Sequence, residues 1–262
     1  MSYGKKRLGY GGSAKIAGSQ VLVTAGTFDE ALTVSYLSMI STPPTTTPVG
    51  RVQHADGTTG YTGSLSFDIH NAVMGSIFTT STLLGRYFEF DVEINDGMSA
   101  WMMQKCKLTS LSLEGSAGGL VTAQVSFLAK TGKEVGVAIP SFFRDTEPLA
   151  YWYTGVGPSE NVKDWTFSMN QEAELVYKNE DSMEPAYIKV GAVSYNLSVT
   201  SYGDLFPAGT SATILIGSSG FTLTGRPIGR GFSFGGITDV GSYSYTFETS
   251  SQDGSSDAVV IT

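Results

Sequence analysis

Apolar and polar residues alternate along several short stretches of this chain, which is the period of a β-strand with one buried face. Gly-rich and Pro-rich segments separate these stretches, and apolar runs with helical spacing are rare. The pattern predicts an all-β protein. The clearest examples are the alternating stretches 65–69, 88–94, 123–127, 195–199 and 243–247.

The same sequence of elements occurs twice. Leu111 and Leu113, a Gly-rich turn and the strand 123–127 are followed later by Phe232 and Phe234, a turn and the strand 243–247. A tandem duplication of one β domain is the simplest explanation. We therefore predict four segments, which are a flexible N-terminal arm (1–18), a first domain (19–130), a linker (131–164) and a second domain with a C-terminal tail (165–262).

Two local patterns depart from strand alternation. Val73, Met74, Ile77 and Phe78 fall on one helical face, so a short helix is expected at 71–78. The Gly-rich segment 225–231 lacks the Gly-Lys-Ser/Thr ending of a phosphate-binding loop. A turn before the last hairpin is expected there.

The charge of the chain is unevenly placed. The formal net charge is -8; residues 1–138 hold 10 basic and 10 acidic side chains, and residues 139–262 hold 6 and 14, so the second half carries the whole excess. Affinity for nucleic acid comes mainly from Lys and Arg, so a protein that grips nucleic acid is disfavoured. Two interpretations stay open: a surface past which nucleic acid slides without sticking, or a charge that serves solubility alone.

Candidate chemistry is sparse. Ser66, Asp68 and His70 share one strand face, where side chains point in parallel rather than converging as a catalytic triad must. The single cysteine, Cys106, is expected to pack in the core, and no Cys/His cluster has zinc-ligand spacing. The expectation is a protein that is not an enzyme and has no catalytic residues, cofactor or metal site. An acidic cluster, read either as a calcium site or, in preference, as a solvated hairpin end, comprises Glu172, Glu174, Glu180, Asp181 and Glu184.

Two segments are candidates for contacts with partners. Three prolines forbid regular strand pairing in residues 41–50, so a long projecting loop of functional use is expected there. After a Ser/Gly/Asp spacer, Val259, Val260 and Ile261 form a β-prone end that either adds a strand to a neighbouring subunit or folds back on its own domain. The loop candidates are Pro43, Pro44, Thr45, Thr46, Thr47 and Pro48.

The chain shows neither a signal-peptide pattern nor an apolar run of membrane-helix length. Synthesis in a cytoplasm-like compartment and no membrane insertion are therefore expected.

The chain resembles bacteriophage tail tube proteins, which stack in rings around a channel for DNA. The stretches that carry the resemblance are 107–119 with 121–127, and 165–169 with 191–199. The resemblance implies tandem β-sandwich or barrel domains, each with one short helix, and a chain with two of them resembles the members that form trimeric rings of pseudo-sixfold symmetry. It also implies that the loop at 40–57 contacts the next ring, that acidic residues face the channel, and that other phage tail proteins are partners. The candidates for acids of the channel or of the outer surface are Glu172, Glu174, Glu180, Asp181 and Glu184.

The function implied is a structural virion protein of the tail, assembled in the bacterial host cytoplasm, through which viral double-stranded DNA passes without specific binding. One alternative is another tail ring protein, such as a baseplate-hub or tail-completion component. A second is a carbohydrate-binding or adhesin β-sandwich pair, in which Tyr151, Trp152 and Tyr153 form a sugar platform.

Overall fold

The fold is given by a computed structural model. It describes residues 13–39, 51–69, 89–95, 100–116, 119, 121–135, 154–157, 162–178, 183–202, 212–216, 219–223, 226–234, 241–250 and 259–261. Every regular element in these residues is a strand, which confirms the all-β prediction. The strands are β1 (Ser13–Ile16), β2 (Ser19–Met39), β3 (Arg51–Asp68), β4 (Phe90–Asn95), β5 (Ala100–Ser116), β6 (Thr122–Ala129), β7 (Thr131–Val135), β8 (Thr154–Gly157), β9 (Val162–Val176), β10 (Tyr187–Ser201), β11 (Ala212–Ile216), β12 (Ser219–Leu223), β13 (Arg226–Ser233), β14 (Ser242–Ser250) and β15 (Val259–Ile261).

The strands of the first half close into a barrel. The antiparallel circuit runs β5, β4, β1, β2, β3, β6 and back to β5. Ala17 and Gly18 join β1 to β2 in a two-residue turn with φ of 51° and 82°, the left-handed pair that a tight hairpin needs.

Strand β5 belongs to two parts of the sheet. Its first part, from Ala100, pairs with β4 and β7, and its second part pairs with β6 and β9. The change occurs near Lys105, whose φ is 53° and whose backbone N–H donates a 2.9 Å hydrogen bond to Asp91 Oδ1. An irregularity of this kind bends a strand, so β5 can turn from one set of partners to the next.

The second half extends the sheet from β5. Strand β9 pairs with β5 from Asp164 to Asn170, and β10, β14 and β13 follow in that order. The run of strands is therefore β2, β3, β6, β5, β9, β10, β14, β13. A separate four-stranded sheet has the order β15, β12, β11, β8.

The two halves of this run match strand for strand. In each, the strand order is first, second, fourth, third in chain order, and each contains irregularities in pairing at corresponding places. The irregularity between Val23 and Ala25 on β2 corresponds to the step from Val162 to Asp164 on β9. The irregularity between Leu32 and Val34 on β2 corresponds to the step from Gln171 to Ala173 on β9. The irregularity between Leu108 and Ser110 on β5 corresponds to that between Pro227 and Gly229 on β13.

This pairing also corrects the correspondence drawn from the sequence. Leu113 pairs with Ala123, and Phe232 pairs with Tyr243, so Leu113 and Phe232 occupy corresponding positions. The sequence pattern had set Leu111 against Phe232, which is two residues out. A two-residue slip keeps the same face buried, so alternation alone does not detect it.

One apolar cluster runs through both halves. It includes Leu65, Phe127 and Leu113 from the barrel, together with Phe167 and Phe247 from the second half, all almost completely buried. Because β5 and β9 lie side by side, the two halves share a sheet and a core. The division into domains stays a prediction, and the segment predicted as a linker contains β7 and β8.

Some expected loops are strands. Residues 51–57 of the expected loop belong to β3, because the β2–β3 hairpin continues until Met39 pairs with Arg51. The expected turn at 225–231 is wrong, because Arg226–Ser233 is strand β13. Pro227 is tolerated there because it lies at a pairing irregularity on a terminal strand of the sheet. The predicted helix at 71–78 lies outside the described residues.

Candidate functional site

One face of the long sheet is lined by small polar side chains. Because side chains alternate between faces, the residues opposite the core form a single polar surface across the run of strands. We call it the polar face. Its members include Thr27, Ser64, Ser66, Ser110, Ser112, Gln124, Ser126, Thr166, Ser168, Asn170, Asn196, Ser198, Thr200, Ser244 and Thr246.

Four acids lie on the described part of the polar face, and Lys107, the register partner of Leu128 at one end of it, is paired with Glu89 at 3.5 Å. The acids are Asp29, Asp68, Glu114 and Asp164, on β2, β3, β5 and β9 respectively. A shallow depression between Ser66, Ser112, Glu114 and Gln124 is lined by the same kind of polar residue. The described part of this surface therefore combines hydroxyl and amide groups with an excess of negative charge, which repels polyanions.

Asp68 is the acid of this face that its surroundings affect most clearly. Partial burial raises the pKa of its carboxyl above the ordinary value of 3.8, because removal from water disfavours the charged form. The folded state therefore holds the proton of Asp68 more tightly than the unfolded chain does.

We expect Asp68→Asn to flatten the pH dependence of stability. As the pH rises above 3.8, the unfolded chain loses this proton before the folded protein does. The free energy of unfolding of the native protein therefore falls until the pH has passed the raised pKa. Asparagine has no proton to lose, so the variant lacks this fall. The stability of the variant relative to the native protein is therefore higher at neutral pH than in acid. Urea unfolding from acid to neutral pH measures the difference, and equal slopes for the two proteins would contradict the assignment.

The join between β5 and β9 depends on a glycine. A Cβ at Gly115 would lie 2.6 Å from Nε1 and 2.7 Å from Cε2 of Trp165, its register partner. The buried indole therefore occupies the space above Gly115. We call the pairing of β5 with β9 the internal seam.

The run of strands ends at two open edges. Among the described strands, β13 pairs with β14 alone. One edge of β2 pairs with β3, and its other edge pairs with β1 from Ser19 to Val21 and has no described partner strand after that. Large apolar side chains are exposed at the β13 end, since Phe232 is 56% exposed and Phe234 is 73% exposed.

The acidic cluster predicted from the sequence is described only in part. Glu172, Glu174 and Glu184 are exposed around the β9–β10 hairpin; Glu172 lies over Gly191, and Glu174 is the register partner of Lys189. Glu180 and Asp181 lie outside the described residues. The connection itself packs on β3, where Thr59 N–H donates to Met183 O at 2.9 Å and the Tyr177 hydroxyl donates to Thr59 O at 3.0 Å.

The other candidates are only partly described. Val259, Val260 and Ile261 form β15, which pairs with β12 of the same chain, so the chain end folds back at this edge. A contact of these residues with another subunit stays a prediction. The loop candidates Pro43, Pro44, Thr45, Thr46, Thr47 and Pro48, and the aromatic residues Tyr151, Trp152 and Tyr153, lie outside the described residues.

The sequence analysis named Asp68 with Ser66 on one strand face but did not predict that Asp29, Glu114 and Asp164 share that surface, because the surface arises from pairing between distant strands. Cys106 is completely buried, and burial, with the nearby charge of Asp91, raises the pKa of its thiol. Within the described ranges no three His, Cys, Asp or Glu side chains come together as a metal site, and no helix is long and apolar enough to cross a membrane.

No protein-family model matches this chain, and neither does any curated protein. Among solved structures it is similar to a chain of the sheath-tube complex of the extracellular contractile injection system PVC in its extended state, with 12% identity, a TM-score of 0.37, and coverage of 49% of this chain and 90% of that chain. It is also similar to the tube-terminating cap of the anti-feeding prophage, with 14% identity, a TM-score of 0.37, and coverage of 52% and 95%.

Proposed function

We propose that this chain is a structural tail tube subunit of a bacteriophage, and that its copies form rings that stack around a channel for viral double-stranded DNA. The observation that carries the proposal is the polar face, a continuous surface of small polar and acidic side chains on a sheet whose two end strands each have an edge without a partner among the described strands. Such a surface suits a channel wall, because its excess of acids repels the phosphate backbone of DNA.

The matching halves support a finer proposal about symmetry. Each chain supplies two similar four-stranded units already joined by the internal seam, so three chains supply six units to a ring of pseudo-sixfold symmetry. We propose that the chain arose by duplication of one such unit. The corresponding pairing irregularities support common ancestry, because β-bulges are retained within families.

The proposal of a tail tube also implies partners. We propose that other tail proteins cap and extend the tube, that residues 40–50 contact the next ring, and that the assembled protein is part of the virion tail after assembly in the host cytoplasm. As a tube subunit, the chain would have no catalytic role and no cofactor.

Electron microscopy of the purified chain over a concentration series tests this function. Hollow stacked rings with apparent sixfold symmetry and three chains each are expected, and a helical reconstruction is expected to place Ser112 and Ser168 on the channel wall. Single closed rings that never stack would favour a ring component at the end of a tube. Monomers that do not assemble, alone or with the other tail proteins, would contradict the proposal.

A further inference from the structure

The internal seam provides a template for a contact between two copies of the chain. Strand β5 is the third strand of the first unit in chain order, and its outer edge pairs with β9, the first strand of the second unit. The corresponding strands at the two ends of the run are β13 and β2. The edge of β13 that has no described partner strand therefore corresponds to the edge of β5 that pairs with β9.

The template fixes the register of such a contact. Within the chain, Leu111 pairs with Met169, Leu113 with Phe167 and Gly115 with Trp165. The corresponding positions, read from the shared pairing irregularities, put Arg230 opposite Glu30, Phe232 opposite Phe28, and Phe234 opposite Gly26. On the polar face the same register puts Ser233 opposite Thr27.

The side chains in this register are complementary. Arg230 and Glu30 carry opposite charges, and opposite charges directly across a strand pair are stabilising. Phe232 meets another phenylalanine. Phe234 lies opposite Gly26, as Trp165 lies opposite Gly115, with the large and small residues exchanged between the strands. Leu65 Cδ2 already lies 2.8 Å from where a Cβ of Gly26 would be, so Phe234 would pack beside Leu65 there.

The two edges are held in place for such a contact. Strand β2 is fixed to β3 by a 2.7 Å hydrogen bond between the hydroxyls of Thr27 and Ser64, and β13 to β14 by a 3.1 Å hydrogen bond between Ser233 and Ser242. At the β13 end, the Phe232 ring lies 4.8 Å from the Tyr243 ring, and the Arg230 guanidinium lies 5.7 Å from the same tyrosine ring.

Glu30 is also held on the opposite edge. The Tyr61 hydroxyl hydrogen-bonds to the Glu30 carboxylate, and burial, followed by the charges of Glu30 and Glu184, raises the pKa of Tyr61. The hydrogen bond thus positions the Glu30 carboxylate at the edge of β2.

We propose that the edge of β13 binds the β2 edge of a second copy of this chain, antiparallel and in the register of the internal seam, and that Arg230 and Glu30 set its specificity. The inference rests on the proposed function, since it describes how copies join within a ring. The inference goes beyond the proposed function by naming the strands, the register and the charged pair.

A disulfide tests the register. In the full chain, the Ser233→Cys and Thr27→Cys double variant is expected to form covalent oligomers on oxidation, because directly opposed residues lie within disulfide reach. The matched control joins Ser233→Cys with Asp29→Cys, a diagonal pair about 7–8 Å apart that is too distant to bridge. Cys106 does not interfere, since it is completely buried. Bridging of the control pair instead would overturn the register.

Charge reversal tests specificity independently. Arg230→Glu and Glu30→Arg are each expected to raise the protein concentration needed for assembly by about tenfold or more, and the double variant is expected to restore it. Lys189→Glu makes the same charge change on an exposed residue outside both edges and is expected to leave assembly unchanged.

These outcomes separate the inference from the function. Tubes that form normally in Arg230→Glu, with no disulfide between the cysteines introduced at positions 233 and 27, would overturn this contact and leave the tube intact. Absence of any rings or tubes in the native protein would contradict the proposed function, and a bridge formed under those conditions would still support the contact between copies.

Discussion

Replacing Phe167 by alanine is expected to lower the free energy of unfolding by about 3–5 kcal/mol, the usual cost of deleting a buried aromatic ring. The side chain is completely buried on β9, is the register partner of Leu113 on β5, and stacks on Tyr195 with ring centroids 6.3 Å apart. Its loss leaves a cavity where the two halves of the protein meet.

The same variant is expected to unfold in one transition at this lower stability. Because β9 pairs with β5 from Asp164 to Asn170 and the apolar cluster continues across the internal seam, neither half keeps its packing when the other unfolds. Two independent domains joined by a linker would give a second transition at the original position.

Chemical denaturation, followed by both tryptophan fluorescence and circular dichroism, measures this effect at protein concentrations below those of assembly. Phe232→Ala is the matched control, since it removes the same ring from a site that is 56% exposed, and its expected cost is within about 0.5 kcal/mol. Equal destabilisation by the two substitutions, or two separate transitions for Phe167→Ala, would contradict the shared core.

Local patterns predicted much of the strand content. The alternating residues of stretches 65–69, 123–127 and 195–199 point their apolar members into the core, as with Leu65, Val125 and Leu197. These predictions succeed because alternation is a property of a single strand that packs one face. The burial of Cys106 was also predicted.

Relationships between distant strands could not be predicted in the same way. The pairing of β5 with β9 joins residues 48 to 60 positions apart, and no local pattern encodes it. The polar face depends on that pairing, so acids such as Glu114 and Asp164 looked like ordinary surface residues in the sequence. Pro227 and its neighbouring glycines suggested a turn, because an irregular edge strand and a turn use the same residue types.

Gly115→Ala is expected to destabilise the protein by about 1–3 kcal/mol, the usual cost of adding a methyl group where no space exists. Its Cβ would lie 2.6 Å from the Trp165 ring nitrogen, closer than real Cβ contacts approach, and the buried indole has little room to move. The internal seam would have to separate or the ring would have to leave its rotamer. Denaturant unfolding of the variant measures the loss.

Trp165→Phe provides the partner for a double-mutant cycle. The substitution replaces the indole whose Nε1, Cε2 and Cζ2 atoms crowd Gly115 with a smaller ring, and it also removes a buried N–H that has no hydrogen-bond partner in the described part of the chain. The cost of Gly115→Ala should therefore be smaller in the Trp165→Phe background than in the native protein, with a coupling of about 0.5–3 kcal/mol. Additive costs would show that the indole does not occupy the space over Gly115. The reciprocal pair, Phe234 and Gly26, should show no such coupling in dilute monomer, because the proposed contact joins them only between two copies.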